Sequence, residues 1–191
     1  MKTKIVANVH ALMQRIAEVT EWPHAMKLLQ EVKLDAFKKR RAEGLFGEKQ
    51  QKILVSRAKY EGKVDMNGRR TAVHQRGGVA IVTSSKEPTV QLDEDEDTEV
   101  LQEEGRWLEA SMSCGKGDEI ITGASFYGMV GASSDTTKYK ANKDLIARAV
   151  LRMLSAGDVA YFLGGGFNIG VEKSEVLKEA MRKGFIHDVP G

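Results

Sequence analysis

The amino-acid sequence predicts an α/β sandwich whose strands run in mixed directions. Three observations lead to this fold class. Six or seven short apolar segments have the length of strands, and three or four segments carry apolar residues at helical spacing. The chain also opens as strand–helix–strand, whereas a tight turn further along joins two strands that must be antiparallel.

The first half of the chain supplies the strand–helix–strand opening. Residues 5–9 form an apolar run typical of a buried strand, and apolar residues at helical spacing follow in 12–17. This helix must end near Pro23, because proline stops a helix. The other elements predicted here are strands at 25–29, 53–55 and 77–83, a charged helix-prone segment at 35–52 and a turn at Asn67-Gly68.

The second half combines further strands with two helices. The predicted strands lie at 106–112, 119–127 and 159–163, with a turn at 115–118 between the first two and a possible strand at 185–189. Asn142 is a candidate cap for an amphipathic helix that Gly157 stops, and Ser174 for a last helix through Met181. Nothing follows the possible last strand, so the chain looks unfinished.

Composition favours one globular domain over residues 1–191. Hydrophobic residues make up 41% and charged residues 29%, and no segment approaches the roughly 18 consecutive apolar residues of a membrane span. The N-terminus lacks the apolar stretch of a signal peptide. The single cysteine, Cys114, excludes an intramolecular disulfide and a cysteine-rich zinc site. We therefore expect an intracellular protein, nuclear or cytoplasmic, with no membrane partner.

The charge distribution is uneven although the net charge is only +2. Residues 38–41 and Arg69-Arg70 are basic clusters, and 93–99 is an acidic run that should repel itself into a solvated loop. The acidic run lacks the spaced ligands and glycine of a calcium loop. For all these runs, solvated surface is the simplest interpretation.

The glycines at 164–166 are the most unusual local feature. They do not form a dinucleotide fingerprint, because the sixth position counted from Gly164 is Ile169. They do not form a P-loop either, since Val171-Glu172 follows Gly170 where Lys and Ser or Thr are required. Both nucleotide-binding interpretations are excluded.

The segment 163–169 instead resembles the Gly-Asp-Phe-Asn signature of the endonuclease/exonuclease/phosphatase superfamily, with Gly166 in the position of the aspartate. The superfamily includes exonuclease III-like apurinic endonucleases and the endonuclease domains of non-LTR retrotransposons. Five further segments resemble its motifs in the same order: 5–9, 29–34, 77–81, 105–108 and 125–128. The resemblance covers about the first three quarters of such a domain, and it implies a two-sheet α/β sandwich that is incomplete at the C-terminus.

The resemblance also implies a site and a chemistry. Glu31 corresponds to the carboxylate that binds Mg²⁺ (or Mn²⁺), and Asn8 to the asparagine beside this metal. Tyr127 and Asn168 correspond to neutral donors to the phosphate of DNA. Hydrolysis of a phosphodiester depends on such positioning and charge stabilisation.

Two departures from the family pattern predict that catalysis is lost or very weak. Gly166 has no side chain and cannot act as the base that the family's aspartate provides. The family's final segment, with a further aspartate and a Ser-Asp-His block, lies beyond residue 191, and His187-Asp188 only superficially imitates it.

Several alternatives remain open from the sequence. The chain is either an impaired Mg²⁺-dependent endonuclease-like domain or a non-enzymatic fragment or nucleic-acid-binding remnant of a retroelement endonuclease; phosphatase activity on lipids or nucleotides is a third class. Glu31 is alternatively a surface carboxylate, Tyr127 a core residue and Asn168 a turn residue. His10, His24 and His74 are expected to be isolated structural or surface residues, and Cys114 inert. No protein partner is implied.

Overall fold

The computed structural model describes residues 4–57, 59–64, 70–76, 78–93, 95–96, 98–113 and 119–186, with the backbone alone in 59–64 and 70–76. The predicted turns at Asn67-Gly68 and 115–118, together with Cys114 and His187-Asp188, lie outside the described residues.

In chain order the strands are β1 (Lys4–Asn8), β2 (Met26–Gln30), β3 (Gln51–Val55), β4 (Lys59–Val64), β5 (Arg70–Arg76), β6 (Val79–Ser84), β7 (Thr89–Gln91), β8 (Trp107–Ser113), β9 (Ile120–Tyr127) and β10 (Ala160–Gly166). The α-helices are α1 (Ile16–Glu21), α2 (Ala36–Glu48), α3 (Glu99–Glu103), α4 (Thr136–Ser155) and α5 (Glu175–Arg182). Two 3-10 turns occupy Leu12–Gln14 and Val171–Lys173.

These strands form two four-stranded sheets and a separate β4–β5 ribbon. The first sheet has the order β1-β2-β6-β3, and the second has the order β10-β9-β8-β7. In each sheet one pair is parallel, β1 with β2 and β10 with β9, and the remaining pairs are antiparallel. The predicted two-sheet α/β sandwich with mixed strands is confirmed.

The core has three layers because each sheet buries both of its faces. Leu28 and Ile81 of the first sheet pack against Leu108 and Met112 of the second, which closes the space between the sheets. On the outer face of the first sheet, Phe46 of α2 packs with other buried apolar residues. Helices α4 and α5 cover the outer face of the second sheet. Alternate residues of one strand therefore serve two different layers.

Helix α4 begins earlier than the sequence pattern indicates. Asp135, and not Asn142, caps it: the Asp135 carboxylate accepts hydrogen bonds from the amides of Thr137 (2.9 Å) and Lys138 (3.0 Å). Asn142 lies fully buried inside the helix. Because residues 136–141 carry no apolar face, the apolar pattern does not indicate the first turns of α4. The predicted cap at Ser174 is confirmed, since its hydroxyl accepts a hydrogen bond from the amide of Leu177.

Strand β10 does not stop before the glycines but continues through them to Gly166. Two of these glycines are required by close packing. A Cβ atom at Gly164 would overlap the Val6 side chain of β1, and one at Gly165 would overlap the Phe126 carbonyl oxygen of β9. Gly164 and Gly165 therefore let β10 lie close to its neighbours, which the sequence pattern alone did not indicate.

The acidic run is only partly the solvated loop that we predicted. Asp93 and Glu96 are exposed, but the Asp95 carboxylate accepts hydrogen bonds from Thr98 and forms an ion pair with Arg152 of α4 (2.9 Å). Helix α3 then begins at Glu99. The run remains compact because the Arg152 cation and the hydroxyl and amide donors of Thr98 offset the repulsion among its carboxylates.

Within the described residues, no helix combines the length and the apolar character needed to cross a membrane.

Candidate functional site

Four strands from the two sheets end at one edge of the sandwich. In the first sheet Asn8 pairs with Gln30 at the ends of β1 and β2, and in the second sheet Gly166 pairs with Tyr127 at the ends of β10 and β9. The Gln30 amide donates a hydrogen bond to the Ser125 hydroxyl (3.1 Å), which joins the two sheets just below this edge. Residues that follow these strands are consequently brought together.

Glu31 stands at the centre of this edge. The Tyr127 hydroxyl donates a hydrogen bond to Glu31 Oε1, and the His10 imidazole Nδ1 lies 2.5 Å from Glu31 Oε2. The Lys33 ammonium lies 3.9 Å from the same Oε2 atom. Only 16% of the Glu31 side chain is exposed, so these neighbours replace most of the water around the carboxylate.

The surroundings keep this carboxylate ionised and the facing phenol neutral. Burial disfavours the charge of Glu31, but the hydrogen bonds from Tyr127, His10 and Asn8 and the Lys33 charge outweigh it and hold the pKa of Glu31 below its ordinary value. Burial and the hydrogen bond to Glu31 raise the pKa of Tyr127 far above its ordinary value. Tyr127 is therefore a donor at any physiological pH.

The two asparagines flank the Glu31–Tyr127 pair. The Asn8 side-chain oxygen accepts a hydrogen bond from the His10 amide (3.1 Å). Asn168 donates from its side-chain nitrogen to the Gly128 carbonyl (2.8 Å), and its amide lies close enough to oppose the rise in the pKa of Tyr127. All four residues singled out by the sequence, Asn8, Glu31, Tyr127 and Asn168, thus lie at one edge.

Arg106 and Asn142 support the site from behind. The Arg106 guanidinium donates to the carbonyls of Tyr127 (3.1 Å) and Gly128 (2.8 Å), and it lies 5.9 Å from the centre of the Tyr127 ring. Asn142 accepts a hydrogen bond from the Met129 amide (2.7 Å) and donates to the Phe167 carbonyl (2.8 Å). These contacts fix the ends of β9 and β10 side by side. From the sequence, Arg106 was only part of the motif at 105–108, and Asn142 was a candidate helix cap.

Gly166 faces the same edge. A Cβ atom added there would lie 3.3 Å from Tyr127 Cδ2 and 3.4 Å from Cε2, so a side chain at this position would project along the tyrosine ring. Position 166, where the family has its aspartate and this chain has glycine, therefore borders Tyr127. Small shifts of the surrounding atoms would admit a larger residue there.

Backbone strain is concentrated here. Among the described residues, the non-glycine residues with positive φ at or beside this edge are His10, Ala11, Glu31, Lys33 and Asn168, and Gln50 is the other one in the described part of the chain. Such conformations cost energy and persist where the surrounding structure enforces them, most often at functional sites.

His10 is not the isolated residue that we predicted. Its side chain is 71% exposed, yet its imidazole contacts the most central carboxylate of the site. The available signal was its position two residues after Asn8, in a loop that follows the same strand.

The oxygen donors suit one hard divalent cation. Glu31 offers a carboxylate and Asn8 an amide oxygen, and Mg²⁺ is typically held by one or two carboxylates together with water and substrate oxygens. In the described residues no three His, Cys, Asp or Glu side chains are grouped as a closed metal cage. Glu31 and Asn8 are therefore the residues that would hold a cation here, with water and substrate oxygens as its other ligands.

Comparison with known proteins identifies the fold. No family model and no curated protein sequence matches the chain. Among solved structures, it superposes on the 3′ phosphatase NExo from Neisseria, solved with a product DNA hairpin, with a TM-score of 0.60 and 20% identity over 93% of this chain and 68% of that one. For the human Nocturnin catalytic domain, solved with sulfate, the TM-score is 0.53 and the identity 11% over 88% of this chain and 58% of that one.

The endonuclease domain of TRAS1, a telomere-specific non-LTR retrotransposon, superposes with a TM-score of 0.51 and 13% identity over 94% of this chain and 69% of that one. The chain thus spans between 58% and 69% of these three structures. The resemblance noted in the sequence is confirmed at the level of fold: the chain has the fold of the endonuclease/exonuclease/phosphatase superfamily.

Proposed function

We propose that this chain is an endonuclease-like domain that binds the phosphate backbone of DNA through a divalent cation, Mg²⁺ or Mn²⁺, and hydrolyses it weakly or not at all. The observation that carries the proposal is the ionised Glu31 carboxylate at the meeting point of four strand ends, with the neutral Tyr127 hydroxyl donating to it.

In this proposal each residue has a separate task. Glu31 would hold the cation, with Asn8 beside it, and a bound cation would supply charge neutralisation at the phosphate oxygens. Tyr127 and Asn168 present neutral donors to the same phosphate, while Arg106 holds the Tyr127 backbone in place. None of these groups needs to change its protonation state in order to bind.

Weak hydrolysis follows from Gly166. Activation of a water molecule needs a positioned base, and glycine offers none. Asp158 precedes the start of β10, at the other end of the strand, and is too far away to replace it. Loss of a general base typically reduces a rate by a factor of about 10² to 10⁴.

DNA is the proposed partner for two reasons. The Lys33 ammonium lies 3.9 Å from Glu31, and Arg15, which pairs with Glu18, also donates to the Asn8 carbonyl (3.5 Å), so cations adjoin the edge where phosphate would bind. The Neisseria neighbour, moreover, was solved with a DNA hairpin.

The test is binding of a fluorescent DNA duplex, with nicking of a supercoiled plasmid measured in parallel. We expect binding to weaken steeply with salt, and to be strengthened by Mg²⁺ because a cation held by Glu31 would supply positive charge to the phosphate. Glu31→Gln should abolish the effect of Mg²⁺, whereas Glu21→Gln, which removes an exposed carboxylate at the end of α1, should retain it. If Glu31→Gln keeps the full effect of Mg²⁺, the cation site is elsewhere and the proposal is wrong.

A nucleic-acid-binding remnant without any chemistry is the second candidate. The observation in its favour is that Glu31 Oε1 and Oε2 already have protein partners, while Gly166 provides no base. DNA binding that is sensitive to salt but indifferent to Mg²⁺, with no nicking, would favour this candidate.

A further inference from the structure

The loop after β1 is fixed against the segment after β2 by backbone hydrogen bonds. The Val9 amide donates to Gln30 (3.0 Å), the Ala11 amide to Glu31 (2.8 Å) and the Leu12 amide to Val32 (3.2 Å). His10 lies in the middle of this series, with a φ of 31°. These backbone hydrogen bonds therefore fix the position of the His10 Cα atom relative to Glu31.

Three groups converge on one point at the end of this loop. His10 Nδ1 and Glu31 Oε2 are 2.5 Å apart, and Lys33 Nζ lies 3.3 Å from the first and 3.9 Å from the second. An imidazole nitrogen and a carboxylate oxygen are both ligands for divalent cations. The Lys33 ammonium thus places a positive charge where the two ligands meet.

The geometry points to His10 as a further ligand of the cation held by Glu31, giving this site a preference for a first-row transition cation such as Co²⁺ over Mg²⁺. This inference rests on the proposed function, because it needs a cation at Glu31. Mg²⁺ prefers oxygen ligands, whereas imidazole nitrogen suits the transition cations. A histidine ligand therefore changes which cation the site selects, and Lys33 competes with any cation that enters.

A cation can enter between His10 Nδ1 and Glu31 Oε2 only if the side chains around this point shift. The His10 side chain is 71% exposed and that of Lys33 33% exposed, so both can shift without disturbing the core. The Glu31 carboxylate, held from the other side by Tyr127, remains in place.

The experiment is calorimetric titration of the protein with Co²⁺ and, separately, with Mg²⁺. We expect His10→Ala to weaken Co²⁺ binding about tenfold and to change Mg²⁺ binding less than about twofold. Lys33→Met should strengthen binding of both cations, because it removes the competing charge. His24→Ala, which removes a histidine before the opposite end of β2, is the matched control and should bind both cations as the wild type does.

A spectroscopic readout separates a ligand from a bystander. In the ¹⁵N histidine side-chain NMR spectrum, one equivalent of diamagnetic Zn²⁺ should move the His10 Nδ1 signal to the position of a metal-bound imidazole nitrogen while leaving the His24 signals unchanged. His10→Gln keeps a polar side chain, and it guards against a general effect of the alanine on folding. It should lose the preference for Co²⁺ in the same way.

The outcomes distinguish this inference from the proposed function. If His10→Ala binds Co²⁺ as tightly as the wild type or more tightly, the imidazole is no ligand and the inference is overturned, although a site that Glu31→Gln abolishes would still stand. If Glu31→Gln leaves binding of both cations unchanged, or if the wild type binds neither, the cation site at Glu31 is wrong and this inference is wrong with it.

Discussion

At the residue scale, Glu31 and Tyr127 form a pair whose protonation states complement each other. The carboxylate has a lowered pKa and the phenol a raised one, so the proton stays on the tyrosine. Tyr127 stabilises the Glu31 carboxylate as an anion, and Glu31 stabilises the Tyr127 phenol as a hydrogen-bond donor. These are the forms in which the two groups are useful for binding. In the part of the chain that the structure describes, Glu31 is the carboxylate that contacts Tyr127, and Gly166 occupies the position that borders its ring.

Restoring a carboxylate at this position is the most direct test of catalytic capacity. Gly166→Asp should increase Mg²⁺-dependent nicking of supercoiled DNA about 100-fold, because a positioned base contributes a factor of that order. Its Cβ would lie 3.3 Å from the Tyr127 ring, so the ring must shift by a few tenths of an ångström.

Gly166→Asn is the matched control, since its amide has almost the same size as the carboxylate but cannot take up a proton. An equal gain in both variants would mean that the side chain acts through packing. No gain in either variant would mean that the edge is not a latent hydrolytic site.

At the scale of the elements, the close packing of β10 determines the shape of the site. The strand lies parallel to β9 from Ala160 to Gly166, and it also contacts β1 of the other sheet through Gly164. This arrangement brings Asn168 next to Gly128, where its side chain closes the edge.

The glycines of β10 should differ sharply in their tolerance of a methyl group. Gly165→Ala should lower the free energy of unfolding by about 3 kcal/mol or prevent folding, because the new Cβ would overlap a backbone oxygen of β9 that cannot move aside. Gly166→Ala should change it by no more than about 1 kcal/mol, since its Cβ meets only the edge of a side-chain ring. Urea unfolding measures both, and equal losses would contradict this account of the packing.

The elements that the sequence predicted are those with a clear apolar pattern. Strand 119–127 and the cap at Ser174 follow from local signals, and the structure has them at Ile120–Tyr127 and ahead of α5. Strand β7 and helix α3 were missed, because β7 has only three residues and α3 emerges from an acidic run. Neither has enough periodicity to distinguish it from a loop.

The sequence singled out four residues that the structure brings to one edge, but it did not indicate their contacts, and their roles stay predictions. Asn8, Glu31, Tyr127 and Asn168 stand in segments that resemble known motifs, so their order in the chain indicated them. The contact of His10 with Glu31 depends on loop residues with positive φ, and nothing in the identity of a histidine or an alanine announces such a conformation. Local strain of this kind is enforced by the rest of the fold.

At the scale of the whole molecule, a buried lysine links the first sheet to its covering helix. Lys27 is only 1% exposed, and its ammonium donates to the Val19 carbonyl of α1 (2.8 Å) and to the Gln51 side chain of β3 (3.0 Å). Burial lowers the pKa of Lys27 to about 8. The charge is thus held at a cost in stability.

This cost predicts a pH dependence of a definite sign. Between pH 8 and the unfolded-state pKa of 10.5, the unfolded chain binds more protons at Lys27 than the folded chain, so its titration makes stability rise with pH. Relative to Lys27→Met, which has no such titration, the wild type should gain about 3 kcal/mol across this window. Urea unfolding of both proteins between pH 7.5 and 10.5 measures the difference, and a constant difference would contradict the burial of the charge. Lys52→Met, at an exposed position of β3, is the control.

The hydrogen bond between Tyr127 and Glu31 spans 96 positions of the chain and joins strand ends of two different sheets. No single hairpin or helix contains this site, so it comes into being only once both halves of the sandwich have closed on each other. If the two sheets separated briefly, the site would be lost although every strand kept its hydrogen-bonded neighbours in its own sheet. Because Tyr127 of the second sheet helps to lower the pKa of Glu31, that lowered pKa therefore reports that the two sheets are packed together.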